Sequence, residues 1–130
     1  MILPRPYNDR TVKRLLLTTA LTAGLAASLP AAIMKITVDA PIHPITAEYI
    51  TQALDRAAAA GDRLVLLALN TPGGLDSSMR EIITAIVNSQ VPVATWVSPS
   101  GARAASAGFF IGIASDLFIM APGTNTGAAS

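Results

Sequence analysis

An unbroken apolar run, Leu64–Leu69, places the tightest limit on what this chain can fold into. A strand without polar alternation is normally covered on both faces, as in parallel sheets. Segments 45–57 and 75–89, before and after this run, carry apolar residues at helical spacing. A second apolar run, Val91–Val97, comes after them. The pattern predicts strand, helix and strand in succession, which requires a parallel sheet with helical crossovers.

The remaining elements extend this alternation in both directions along the chain. Met34–Ala40 alternates apolar with polar residues and predicts a half-exposed edge strand. Thr46 is predicted to cap the next helix through its hydroxyl, and Gly61 to end it. A helix over about 105–114 and a short strand, Leu117–Met120, complete the series. The predicted class is therefore α/β, with repeated β-α units around a mostly parallel sheet.

Two unusual loops follow the predicted strands at the same edge of the sheet. Thr71–Gly74 contains one proline and two glycines, and Ser98–Gly108 surrounds Ser106 with small residues. Each loop alone is also compatible with an ordinary tight turn. Functional groups of parallel α/β sheets gather beyond the carboxyl ends of the strands. Together the loops offer a hydroxyl nucleophile and backbone amides, and acyl transfer needs both.

Composition excludes several classes of function. The chain has no cysteine, which rules out disulfides, thiolate metal sites and cysteine nucleophiles. Its single histidine, His43, lies between two prolines and is interpreted as an ordinary loop residue, so neither a metal nor a cofactor is indicated. From Ile33 onward five basic residues stand against seven acidic ones, a sum of −2 without a basic stripe. This charge pattern argues against a nucleic-acid partner.

The first 32 residues have the composition of a targeting segment. Residues 1–14 are polar and basic, and Leu15–Ala32 carries no charge. A basic region before an apolar one predicts a secretory signal peptide, and Ala26 and Ser28 suit its cleavage. An uncleaved membrane anchor is the alternative, because the run is nearly long enough to span a bilayer. Residues 33–130 are then a domain that is exported or membrane-associated, on the extracytoplasmic side.

Three motifs, in order, resemble the N-terminal protease domain of NfeD-type membrane serine proteases, in the Clp-protease and crotonase-like superfamily. They are Asn70–Gly74, Ser98–Gly108 and Ala121–Ala129, and the resemblance runs from about Ile33 to Ser130. It implies Clp-protease/crotonase-like repeated β-α units around a mostly parallel sheet, incomplete at the C-terminus.

The resemblance also implies roles for individual residues. Ser106 is the expected nucleophile of a Ser-Lys endopeptidase. The amide of Gly74, with Gly73 beside it, and the amide of Ala107 are the expected oxyanion-hole donors. The implied substrates are hydrophobic polypeptide segments, notably from stomatin-type membrane proteins. No cofactor is implied, and members of the superfamily commonly form homo-oligomers.

One departure from the family pattern concerns the general base. The family's base lysine falls past Ser130, and this chain has only Lys13 and Lys35, neither at a matching position. The chain is therefore interpreted as part of a longer enzyme, inactive by itself. A non-catalytic, membrane-associated, peptide-binding scaffold is one alternative. A crotonase-like acyl-CoA enzyme is a weaker one, because an export signal fits intracellular CoA chemistry poorly.

Overall fold

Strands and helices alternate along the chain in a computed structural model that describes residues 32–128. In chain order they are β1 (Ile33–Asp39), α1 (Pro44–Ala60), β2 (Leu64–Asn70), α2 (Asp76–Val87), β3 (Val93–Val97), β4 (Arg103–Ala105), α3 (Ala107–Ala114), β5 (Leu117–Met120) and β6 (Asn125–Gly127). The predicted targeting segment, apart from its last residue, and the final two residues of the chain lie outside this range.

The main sheet has four strands in the order β1-β2-β3-β5, and every neighbouring pair is parallel. Ile36 is opposite Leu67, which is opposite Thr95 of the next strand. β1 lies at one edge, where Ile36 and Val38 are buried and Lys35 is exposed. The α/β class and the parallel sheet predicted from sequence are both confirmed.

The helices cover one face of this sheet. Each crossover moves one strand further in the same direction, and right-handed crossovers then place successive helices on the same side. α1 contacts α2, and α2 contacts α3. On the other face Leu64, Leu66 and Trp96 are half-buried, while Leu117 and Ile119 are 56% and 44% exposed. The expectation that β2 is covered on both faces therefore holds for one face within residues 32–128.

The start of α1 differs from the sequence prediction. The helix begins at Pro44, and His43 is the residue before its first turn. Proline is favoured at this position because its fixed φ suits a helix and its missing N–H leaves no donor unsatisfied. The Thr46 hydroxyl donates to the Pro41 carbonyl at 3.0 Å. The prediction that Thr46 caps the helix is therefore wrong, whereas Gly61, with φ of 70°, ends it as predicted.

Residues of α2 differ in how deeply they are buried, and this difference predicts how much each one contributes to the free energy of unfolding. Ile82 is 0% exposed, whereas Val87, also an apolar residue of the segment 75–89 with helical spacing, is 68% exposed. Ile82→Ala should lower the free energy of unfolding by about 2–5 kcal/mol, because it removes methyl groups and leaves a cavity. Val87→Ala, the matched control, should change it by less than about 0.5 kcal/mol. Urea denaturation measures both values, and equal losses would contradict this assignment of the core.

A second sheet of two short parallel strands was not predicted. β4 pairs with β6, so that Arg103 is opposite Asn125 and Ala105 is opposite Gly127. Both strands lie in segments interpreted as loops, since three small or polar residues show no apolar period. The pairing brings the third sequence motif against the Ser106 loop.

Candidate active site

Ser106 joins the end of β4 to the start of α3 in an unusual backbone conformation. Its φ is 52° and its ψ is −114°, which is strained for a residue with a side chain by about 1–3 kcal/mol. Its amide donates to the Gly127 carbonyl at 2.7 Å, and its carbonyl accepts from the Phe109 amide at 2.9 Å. β6 and α3 thus hold the conformation from both sides. The result is a sharp strand-to-helix turn with a partly exposed serine at its tip.

The glycine loop after β2 is joined directly to the strand that precedes Ser106. The Thr71 amide donates to the Arg103 carbonyl at 2.7 Å, and the Ala105 amide donates to the Thr71 carbonyl at 3.1 Å. A methyl group added to Gly73 would lie 2.9 Å from Cβ of Ser106 and 3.4 Å from its Oγ. The two loops expected at one edge of the sheet are therefore neighbours in contact.

The two glycines of this loop differ in the use of their amides. The Gly73 amide donates to Thr71 Oγ1 at 3.2 Å, and the Gly73 carbonyl accepts from the Ile42 amide at 2.8 Å. In a planar trans peptide the N–H of the next residue points opposite to that carbonyl. The Gly74 N–H therefore points away from Ile42, and it has no acceptor among residues 32–128. Gly74 is the glycine whose amide is free to bind an anion.

Ala107 presents its amide at the start of α3. The Ser106 carbonyl accepts from Phe109 and Phe110 inside the helix, so the Ala107 N–H points outward from its first turn. Amides at this position have no partner within the helix, and the helix dipole makes them favourable for negative charge. Ala107 therefore has the chemistry of an anion-binding donor directly beside Ser106.

The structure brings no base to Ser106 within residues 32–128. Lys35 is the single lysine within residues 32–128, and its Nζ lies 5.8 Å from the ring centroid of Trp96. His43 lines a cavity of about 260 Å³ with Asp39, and Ser106 is not part of that lining. Ser106 Oγ has no hydrogen-bond partner in the described range. Groups of three or more His, Asp or Glu side chains suited to a metal ion are also absent there.

Sequence reasoning missed Ile42, which supports the glycine loop through its backbone. Its amide donates to the Gly73 carbonyl and its carbonyl accepts from the Leu75 amide, both at 2.8 Å. A side chain on Gly74 would overlap the Ile42 backbone. Its position in the sequence could have indicated this role. Ile42 comes after Pro41, just beyond the carboxyl end of β1, and can extend the sheet edge there.

A groove between α2 and α3 opens near the start of α3. We call it the α2–α3 groove; it measures about 490 Å³, and its apolar lining includes Met79, Ile83 and Phe110. Asp76 and Arg80 stand in the same lining, where Arg80 Nε donates to Asp76 Oδ2 at 2.7 Å. This hydrogen bond, with the charge of Asp76, raises the pKa of Arg80, so the guanidinium stays protonated. The groove combines an apolar surface with one exposed ion pair.

Comparison with known proteins identifies relatives of the described region. Residues 32–130 match the family model "NfeD1b, N-terminal domain". The chain is 45% identical over 80 residues to the membrane-bound protease PH1510 of Pyrococcus horikoshii, covering 62% of this chain and 17% of that protein. It is 37% identical over 84 residues to the membrane protein NfeD1b of Bacillus subtilis, covering 65% and 18%. The match thus spans less than a fifth of either relative.

Solved structures share the fold. A variant of the 1510-N membrane-bound stomatin-specific protease, with a serine replaced by alanine, superposes with a TM-score of 0.76 at 32% identity, covering 78% of this chain and 49% of that one. A variant with a lysine replaced by alanine, in complex with a substrate peptide, gives 0.75 at 33% identity, covering 76% and 45%. ClpP1 from Listeria monocytogenes, at 20% identity, gives 0.58 over 73% and 51% and is similar in fold alone.

These findings confirm the resemblance inferred from the three sequence motifs. The parallel sheet with helical crossovers agrees with the Clp-protease-like architecture expected from them. The family match covers all of the described region, including the serine turn and the glycine loop. The chain belongs to the NfeD1b N-terminal domain family.

Proposed function

We propose that this chain is the nucleophile-bearing part of a serine endopeptidase domain. The observation that carries the proposal is the strained Ser106 turn, which lies against Gly73, with the free amides of Gly74 and Ala107 next along each chain segment. Strain of this kind persists only where the surrounding structure imposes it, and it concentrates at functional sites. The membrane-bound protease among the relatives supports the same assignment.

In the proposed reaction, Ser106 Oγ attacks the carbonyl carbon of a peptide bond while a general base accepts its proton. The carbonyl oxygen becomes an oxyanion and receives hydrogen bonds from Gly74 and Ala107. One such donor is commonly worth about 10²- to 10³-fold in rate. The tetrahedral intermediate then releases the amine, which takes up the proton, and water hydrolyses the acyl-enzyme. A lysine supplied by sequence past Ser130 is the proposed base, which makes the enzyme a Ser-Lys protease.

The substrates proposed are hydrophobic polypeptide segments, and the proposed partners are stomatin-like membrane proteins. The α2–α3 groove supports this class, because Met79, Ile83 and Phe110 offer an apolar surface at the helix that follows Ser106. A related protease is stomatin-specific and binds a substrate peptide. Burial of apolar side chains in such a groove contributes roughly 25 cal/mol per Å² of area removed from water.

We further propose that the protein works as a homo-oligomer at the extracytoplasmic side of a membrane. The basic and apolar composition of residues 1–32 supports export or anchoring, and the curated relatives are membrane proteins. Among residues 32–128 no helix has the length and apolar character to cross a bilayer.

Covalent labelling of the extended chain, meaning this sequence continued past Ser130, tests the nucleophile. A fluorophosphonate should label one serine, and tryptic cleavage after Arg103 should separate its peptide from Ser98 and Ser100. We expect the adduct on Ser106, and labelling should disappear when the protein is unfolded in urea. An adduct on Ser98 or Ser100 instead, or labelling that survives Ser106→Ala, would overturn the assignment.

A non-catalytic peptide-binding scaffold is the second candidate, favoured by the lack of a base beside Ser106 in residues 32–128. Both candidates bind a peptide at the same edge of the sheet, and they differ in the residues expected past Ser130. A lysine after the third motif, with labelling of Ser106, supports the protease. If that lysine is absent and Ser106 resists labelling while the peptide still binds, the scaffold is correct.

A further inference from the structure

We propose that Thr71 is a positioning residue of the oxyanion hole, which aligns the Gly74 amide without touching the substrate. This inference rests on the proposed function. Thr71 is the first residue after β2 and is 0% exposed. Neither the sequence motifs nor the family match assigns its side chain a role.

The Thr71 hydroxyl fixes the peptide unit that carries the proposed donor. Its Oγ1 accepts from the Gly73 amide at 3.2 Å and lies 3.3 Å from the Gly73 carbonyl oxygen, to which it donates. The first bond occupies the Gly73 amide, and the Ile42 bond holds the Gly73 carbonyl. With both ends of Gly73 held, the plane of the following peptide is set, and the Gly74 N–H keeps one direction.

The Thr71 methyl group reaches the other side of the site. A side chain added to Gly108 would lie 2.5 Å from Cγ2 of Thr71, so this methyl packs directly on the first turn of α3. That turn also carries the Ala107 amide. One buried residue therefore contacts both elements that supply the proposed donors. Serine would keep the hydroxyl without the methyl, and valine would keep the methyl without the hydroxyl.

A buried threonine in a turn can instead serve stability alone, through its local hydrogen bonds. The two roles predict different kinetics. A stabilising role changes the amount of folded enzyme, and leaves the turnover of each folded molecule unchanged. A positioning role lowers kcat with KM nearly constant, because the oxyanion exists only in the transition state.

The test compares Thr71→Val with Thr71→Ser in the extended chain, using an apolar fluorogenic peptide. Thr71→Val should lower kcat by about tenfold to a hundredfold, which does not exceed the loss in kcat expected on removing one oxyanion donor. KM should change by less than about twofold. A peptide boronic acid, which forms a tetrahedral adduct with the serine, should bind weaker by the same factor. Thr71→Ser should keep kcat within about threefold and lose thermal stability, because it lacks the methyl contact.

The inference is overturned if Thr71→Val keeps kcat and boronate affinity, or if Thr71→Ser loses as much kcat as Thr71→Val. Should Thr71→Val fail to fold, Thr71→Cys replaces it, since its thiol matches serine in shape but is a weak acceptor. Ser106→Ala separates this result from failure of the proposed function. Activity that survives Ser106→Ala overturns the protease itself, whereas a normal Thr71→Val beside an inactive Ser106→Ala overturns only the role of Thr71.

Discussion

Replacing Ser106 with alanine in the extended chain should lower kcat for peptide cleavage by about 10³-fold or more, since the reaction would lose its proposed nucleophile. The thermal midpoint should remain within a few degrees of the parent value. Alanine adds no atom at this position, and Ser106 already holds φ of 52° with a Cβ present. Binding of an uncleaved apolar peptide should also persist, because the Gly74 and Ala107 amides and the α2–α3 groove are unchanged.

The matched control is Ser100→Ala, in the same loop. Ser100 Oγ donates to the Pro122 carbonyl at 2.7 Å on the surface, away from the proposed chemistry. Its loss should leave kcat within about twofold, since exposed polar substitutions are usually worth less than about 0.5 kcal/mol. Cleavage rates with the fluorogenic peptide and mass spectrometry of the products measure both variants. Full activity in Ser106→Ala, or equal loss in both variants, would show that another residue is the nucleophile.

Gly74→Ala should cause the largest loss of stability among single substitutions in the glycine loop. The new methyl group would overlap the carbonyl of Ile42 and approach its amide nitrogen to 2.6 Å. These are backbone atoms, which cannot rotate away as a side chain can. We expect the free energy of unfolding to fall by about 3 kcal/mol or more. The cleavage rate should fall by more than the unfolded fraction of the protein explains, because the Gly74 amide must move with the backbone.

Gly61→Ala is the control for this substitution. Gly61 also holds a positive φ, 70°, but a side chain there meets nothing within 4 Å. Its replacement should cost about 1–2 kcal/mol from the backbone conformation alone and leave cleavage by the folded protein unchanged. Urea denaturation and initial rates, measured on the same preparations, give the comparison. A Gly74→Ala protein as stable as Gly61→Ala would contradict the close approach of Ile42.

Much of the fold can be predicted from local patterns that a single sequence contains. The apolar run of β2 and the helical spacing around it predict parallel strands with crossovers, because both are properties of neighbouring residues. Gly61 marks the end of α1 for a similar reason, since only the backbone conformation at that residue matters. The placement of Ser106 and the glycine loop at one edge results from the parallel order. These features need no knowledge of distant contacts.

The missed features depend on contacts between segments far apart in sequence. β4 and β6 are short and lack apolar period, so only their pairing across about twenty residues defines them. The bridge from Ile42 to Gly74 joins two loops whose sequences give no sign of each other. The exposure of Val87 depends on where α2 meets its neighbours. The resemblance named Gly74 as a donor, but the reason that its amide is the free one, the contact of Gly73 with Thr71, is also a matter of structure.

The position of β6 after β4 in the sequence has a consequence for folding during synthesis. Strands β2, β3 and β5 each pair with the strand of their sheet that left the ribosome before them, so that sheet can grow as synthesis proceeds. β4 has no such earlier partner in its own sheet and pairs with β6, the last strand described. The Ser106 amide therefore meets the Gly127 carbonyl only after that strand has emerged. Until then the Ser106 turn lacks this hydrogen bond, while other segments of the same nascent chain are still unfolded and can approach the serine.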